Sequence, residues 1–168
     1  MKMFKFVFAF AVIFSIVLVA CNKESRTSTL HVKLTDAPGN WQEVNIDLKA
    51  VNVNFSDDST GWVSLQTKDT IYNLLGLQNG LDTLIAQGTF PTNTVKEIRL
   101  VLGNNNSIKV DGQTYPLTIP SGSTSGLKIK VNKKLNATLE TVVLDFDAGA
   151  SVTEEQDGFK LRPVIIVK

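Results

Sequence analysis

Asp145 and Asp147 are the residues whose type and spacing come closest to a catalytic or metal-binding pair. They stand two apart in a run that alternates Val142, Leu144 and Phe146 with Val143, Asp145 and Asp147. On a strand both carboxylates therefore leave the same face, roughly 6.5 to 7 Å apart by strand rise. That separation falls at the short edge of what an inverting glycosidase uses. The pair could also form half of a calcium site, with Glu154, Glu155 or Asp157 adding the further oxygen ligands that Ca²⁺ takes. The competing and preferred reading is a solvated strand face opposite Leu144 and Phe146, where charge discourages edge pairing.

Other chemistries find less support. A serine nucleophile needs a base, and His31 is the single histidine. It lies on an alternating strand, and no Gly-x-Ser-x-Gly elbow occurs in the chain. One histidine and one cysteine also exclude His- and Cys-cluster metal sites. Trp41 and Trp62 each follow a turn rich in Asn, Gly, Asp or Ser, where an aromatic face can bind sugar. The alternative for both is a core position at a sheet corner, with the indole N–H finding a backbone partner. Asp36 reads as a turn cap before it reads as a ligand, and Asp57-Asp58 reads as a solvent loop. Lys128, Lys130, Lys133 and Lys134 make a basic stretch that could touch anionic lipid or polysaccharide, or simply be a wet strand face.

The only cysteine has a different context. Lys2 and Lys5 precede an apolar run over residues 6–19, which ends in Leu18-Val19-Ala20-Cys21. A membrane-spanning helix needs about 20 apolar residues, so the run suits a cleaved signal better than a retained anchor. The four residues at its end are similar, position by position, to a bacterial lipobox. That similarity implies cleavage between Ala20 and Cys21 and acylation of the Cys21 thiol by the lipoprotein processing machinery. Each buried lipid CH₂ adds about 0.8 kcal/mol of membrane affinity, so two or three chains hold a soluble domain firmly. The expected organisation is a signal peptide over 1–20, an acylated cysteine with a flexible polar tether over 21–29, and one domain over 30–168. Lys23-Glu24 faintly resembles a surface-export tag, which leaves surface and periplasmic display both open.

Removing residues 1–20 from 168 leaves 148, enough for one domain with a full core. The precursor carries 17 basic and 16 acidic side chains, and losing Lys2 and Lys5 brings the balance to 15 against 16. A near-neutral domain offers no electrostatic case for nucleic acid.

From Leu30 the apolar residues recur with a period of two, the signature of strands. Val44, Ile46 and Leu48 give way to Val51, Val53 and Phe55, a phase change that predicts a β-bulge near Lys49-Ala50. Asp111-Gly112 between two alternating runs predicts a type I′ hairpin. The segment 75–88 reads equally as a short strand or a single helical turn around residues 81–86. Some nine to eleven short strands and no amphipathic helix predict an all-β antiparallel β-sandwich, immunoglobulin-like or transthyretin-like, with a closed barrel second.

Leu34-Thr35-Asp36-Ala37-Pro38-Gly39, Ile98-Arg99-Leu100-Val101-Leu102, Val110-Asp111-Gly112, Leu144-Asp145-Phe146-Asp147-Ala148 and Leu161-Arg162-Pro163-Val164-Ile165 occur in the order expected of one family. From about Leu30 onward the chain resembles the bacterial lipoprotein family known as domain of unknown function 4382. The resemblance implies an extracytoplasmic β-sandwich on a lipid anchor and brings no catalytic residues; the expected location is the bacterial cell envelope, at the outer membrane. The expected function is a non-enzymatic binding or scaffolding module without a cofactor, its partner a glycan or another envelope protein. The alternatives are a polysaccharide hydrolase using Asp145 and Asp147, and a calcium-stabilised module.

Overall fold

The computed structural model describes residues 26–58, 60–120, 126–136 and 138–168. The signal peptide and the Ala20–Cys21 junction, the tether up to residue 25 and most of the Ser/Gly/Thr loop after Pro120 lie outside the described residues. Fourteen strands follow one another among those described. Up to Leu102 the chain contributes β1 (Thr27–Thr35), β2 (Glu43–Asn54), β3 (Trp62–Ser64), β4 (Gln66–Thr67), β5 (Thr70–Asn73), β6 (Thr83–Pro91) and β7 (Thr94–Leu102). The remainder contributes β8 (Ser107–Val110), β9 (Gln113–Thr118), β10 (Leu127–Lys134), β11 (Leu139–Phe146), β12 (Val152–Glu155), β13 (Gly158–Leu161) and β14 (Ile165–Val167). A 3₁₀ turn at Leu74–Leu77 and one helical turn at Ala148–Ser151 are the helical pieces.

The strands form two sheets. The smaller has the order β14-β11-β1-β6-β4, and the larger runs β10-β7-β2-β8-β9-β13-β12 with β3 and β5 also on β2. Alternation builds the core between them: Leu30, Val32 and Leu34 from β1 meet Val44, Ile46, Leu48, Val51 and Val53 from β2, all fully buried. Ile98 and Leu100 of β7 and Leu144 and Phe146 of β11 complete the centre. The class is all-β and sandwich-like, as expected.

Two local expectations hold in detail, and an open one is resolved. The register of β2 against β7 shifts between Leu48 and Ala50, where the buried phase changes. Asp111 and Gly112 have φ of 47° and 79°, the two positive values a type I′ turn requires. The ambiguous 75–88 region resolves into a strand from Thr83, with the helical turn falling earlier at Leu74–Leu77.

Other expectations are corrected. The sheets are mixed, because β1 pairs β11 in parallel and β13 pairs β9 in parallel. The domain begins before residue 30, since Thr27 and Ser28 already pair with Pro91 and Phe90 and Ser28 is buried. Their polarity made them look like tether, but backbone pairing needs no apolar side chain. Strands also outnumber the expected nine to eleven, because β3, β4 and β14 are only three, two and three residues long.

Candidate functional site

Two hairpins meet at one end of the larger sheet. The first turns at Asp111-Gly112 and carries Tyr115 on β9. The second joins β12 to β13 through Gln156-Asp157, with Gly158 at φ 115°, a conformation that a side chain resists. Parallel pairing of Phe159 with Leu117 and Lys160 with Thr118 brings the second hairpin alongside the first. Between them lies a groove of about 560 Å³, lined by Tyr115, Pro116, Phe159, Asp111 and Glu154 among others.

The groove has an aromatic floor. The rings of Tyr115 and Phe159 lie 5.3 Å apart, tilted by 51°, and Trp41 meets Phe159 edge-on at 6.3 Å. Phe159 is buried, whereas Tyr115 keeps 37 % of its surface in solvent. The Tyr115 hydroxyl donates to Gln113 Oε1 at 2.6 Å, which fixes the ring's tilt. Trp41 is half-buried and packs against the core, so it supports Phe159 from behind and offers a ligand little itself.

Carboxylates surround the floor in two states. Glu155 is paired with Arg162, and Asp157 with Lys160 at 2.6 Å, a hydrogen bond that holds the Asp157 carboxyl below its ordinary value. Glu154 and Asp111 have no hydrogen-bond or ion-pair partner among the described residues. An exposed ring beside unengaged acceptors suits a polyol, whose C–H face stacks on the ring while its hydroxyls donate to carboxylate oxygens.

The residues singled out from sequence take other places. Asp145 does not sit on a solvated face; it is 4 % exposed, and Lys168 Nζ lies 2.7 Å from its Oδ2. Asp147 Oδ1 accepts the Ala150 amide at 2.8 Å and caps the helical turn. Both carboxylates are thus committed, and neither faces the groove. Among the described residues no group of three or more His, Cys, Asp or Glu side chains is placed to hold a metal ion. Asp36 is buried, as a turn cap would be, and accepts from Ala148 N at 2.8 Å and Gln78 Nε2 at 3.1 Å. His31 stands on the outer face of the smaller sheet between Thr141 and Gln87. Trp62 lies on the outer face of the larger sheet beneath the Arg99 guanidinium, away from any core corner. Cys21 and Ala20 lie outside the described residues.

Tyr115 and Phe159 were missed as site residues. Tyr115 carried a readable signal, as an aromatic three residues after a hairpin turn. Phe159 did not, because only the β9–β13 pairing brings it there.

The fold is an all-β, two-sheet domain with a groove between terminal hairpins, and such a scaffold does not by itself define a function. The chain belongs to the family described as Domain of unknown function (DUF4382), which it matches over residues 27–163. No curated protein and no solved structure matches it.

Proposed function

We propose that this protein is a glycan-binding module of the bacterial envelope, held to the membrane by lipid on Cys21 and acting without catalysis. The observation that carries the reading is the Tyr115–Phe159 floor flanked by the unengaged carboxylates of Glu154 and Asp111. The pairing of Asp145 Oδ2 with Lys168 and of Asp147 Oδ1 with the Ala150 amide weighs against a hydrolase built on these two carboxylates. The lipobox-like Leu18-Val19-Ala20-Cys21 sequence supports anchoring at Cys21, with the outer membrane as the proposed location.

The test is a glycan array probed with the full-length protein in detergent, with calcium and with chelator. Saturable binding that Tyr115→Ala abolishes supports the groove. Absence of binding in both conditions moves the assignment to a protein partner in the envelope. Incorporation of an alkyne fatty acid that Cys21→Ser removes checks the anchor.

A further inference from the structure

On the outer face of the larger sheet, strand register sets four hydrogen-bonding side chains in a row. Ser64 of β3 faces Asn52 of β2, Asn52 faces Arg99 of β7, and Arg99 faces Lys128 of β10. Neighbouring strands lie about 4.8 Å apart, so the row extends over roughly 14 Å. The sequence neighbours Val51, Val53, Ile98, Leu100 and Ile129 are buried, which turns Asn52, Arg99 and Lys128 toward solvent, and Ser64 is itself exposed.

Arg99 is held in place without a counter-charge among the described residues. Its guanidinium carbon lies 3.8 Å from the centroid of the Trp62 ring, and Lys128 Nζ lies 6.0 Å from the same ring. The backbone of Gly126 comes so close to the Arg99 stem that a Cβ there would approach Cγ to 2.8 Å. Arg99 Nε is buried and has no hydrogen-bond partner among the described residues. Arg99 and Lys128 have no ion-pair partner among the described residues, whereas Lys96, Lys133 and Lys160 each have one. Glu97 is the nearest acid by register, one row away and facing Lys130. A stacked, pre-ordered guanidinium loses little freedom on binding, and its planar fork matches a carboxylate.

We propose that this row binds an acidic polysaccharide, with Arg99 and Lys128 taking successive carboxylates of the chain and Asn52 Nδ2 donating to a neighbouring oxygen. A row that crosses four neighbouring strands suits an extended polymer of repeating anions. Trp62 lies under Arg99, so its ring is not free to enter a bilayer. The site is separate from the groove and does not rest on it.

The experiment is titration calorimetry of the full-length protein in detergent with oligogalacturonate, its methyl ester, and glycerophosphoglycerol as a soluble lipid headgroup. The expected result is saturable binding of oligogalacturonate alone, weakening as salt rises. Arg99→Lys, which keeps the charge but loses the fork, should weaken it about tenfold. Lys128→Gln should weaken it about threefold, and as an exposed substitution it leaves the fold intact. Tyr115→Ala should leave it unchanged. Equal binding of the methyl ester, equal binding of the headgroup, no binding of oligogalacturonate, or indifference to Lys128→Gln would each overturn the proposal.

Discussion

Asp36 Oδ1 accepts the amide hydrogen of Ala148 at 2.8 Å, joining two loops that are 112 residues apart in sequence. The same carboxylate takes Gln78 Nε2 on its other oxygen at 3.1 Å, and the Asp36 amide donates to Leu77 O at 3.1 Å. One side chain thus ties the end of β1 to the 3₁₀ turn and to the helical turn after β11. The Gly39 backbone lies alongside that of Gly149, where a Cβ on Gly39 would be in ordinary van der Waals contact with Gly149 N at 3.5 Å. Two of the five motifs that carry the family resemblance, those containing Asp36 and Ala148, are therefore the two halves of one structural clamp.

Removing this acceptor should be costly. Asp36→Ala leaves the buried Ala148 amide without a partner, and a loss of about 2 to 3 kcal/mol in urea unfolding is expected. Asp36→Asn keeps an acceptor for Ala148, and Gln78 can turn its amide oxygen toward the new NH₂. Its loss should be about 1 kcal/mol. Equal stability of the Ala variant and the wild type would show the clamp to be dispensable.

The pH dependence of the same site has a definite sign. Burial, the dominant cause, raises the Asp36 carboxyl above its ordinary value of 3.8, with the Asp145 and Asp147 charges acting in the same direction. A carboxyl raised by folding contributes stability that is fully present below its unfolded pKa and is lost as pH rises through the folded one. Asp58 and Asp157 act oppositely: Thr60 hydrogen bonds hold the first low and Lys160 the second, so their contributions fade in acid. Asp36→Asn removes only the first effect. The gap between wild type and Asp36→Asn should therefore widen from pH 7 to pH 3.5, and a gap that narrows would contradict the assignment.

What could be read from sequence was local. The bulge at Lys49-Ala50 announced itself because buried positions changed from even to odd, and the hairpin because Asp-Gly tolerates two positive φ values. The parallel pairing of β1 with β11 left no such trace, since its partners are separated by most of the domain. That pairing decides the fate of Asp145: it sets Asp145 beside Thr35, while β14 brings Lys168 over it. An alternation rule that sees only β11 assigns the carboxylate to water. The groove was hidden for the same reason, because its floor combines Tyr115 and Phe159 through a second long-range parallel contact.

Gly103 should tolerate no side chain. It closes the corner between β7 and β8, where its amide donates to Asp47 O at 2.7 Å. A Cβ there would lie 2.2 Å from Asp47 Oδ2. Asp47 cannot easily yield, being 1 % exposed and bonded through its amide to Asn106 Oδ1 at 2.8 Å and through Oδ2 to the Asn105 amide at 3.2 Å. Gly103→Ala should cost about 1 to 3 kcal/mol, measured by chemical unfolding. A neutral result would mean that the corner can rearrange.

Trp41 and Tyr115 should separate stability from binding. Trp41 packs against the core and meets Phe159 edge-on, so Trp41→Ala removes packing beneath the groove and should cost about 3 kcal/mol. Trp41→Phe keeps an aromatic edge and should cost less than half of that. Tyr115 is exposed, its hydroxyl bonds only within its own strand, and Tyr115→Ala should cost about 1 kcal/mol or less. If the groove takes a ligand through the Tyr115 face, binding is lost in Tyr115→Ala at nearly unchanged melting temperature, while Trp41→Phe binds normally. Loss of binding in step with melting temperature across all three variants would instead make the aromatic floor a packing feature, and the ligand would have to be sought elsewhere on the domain.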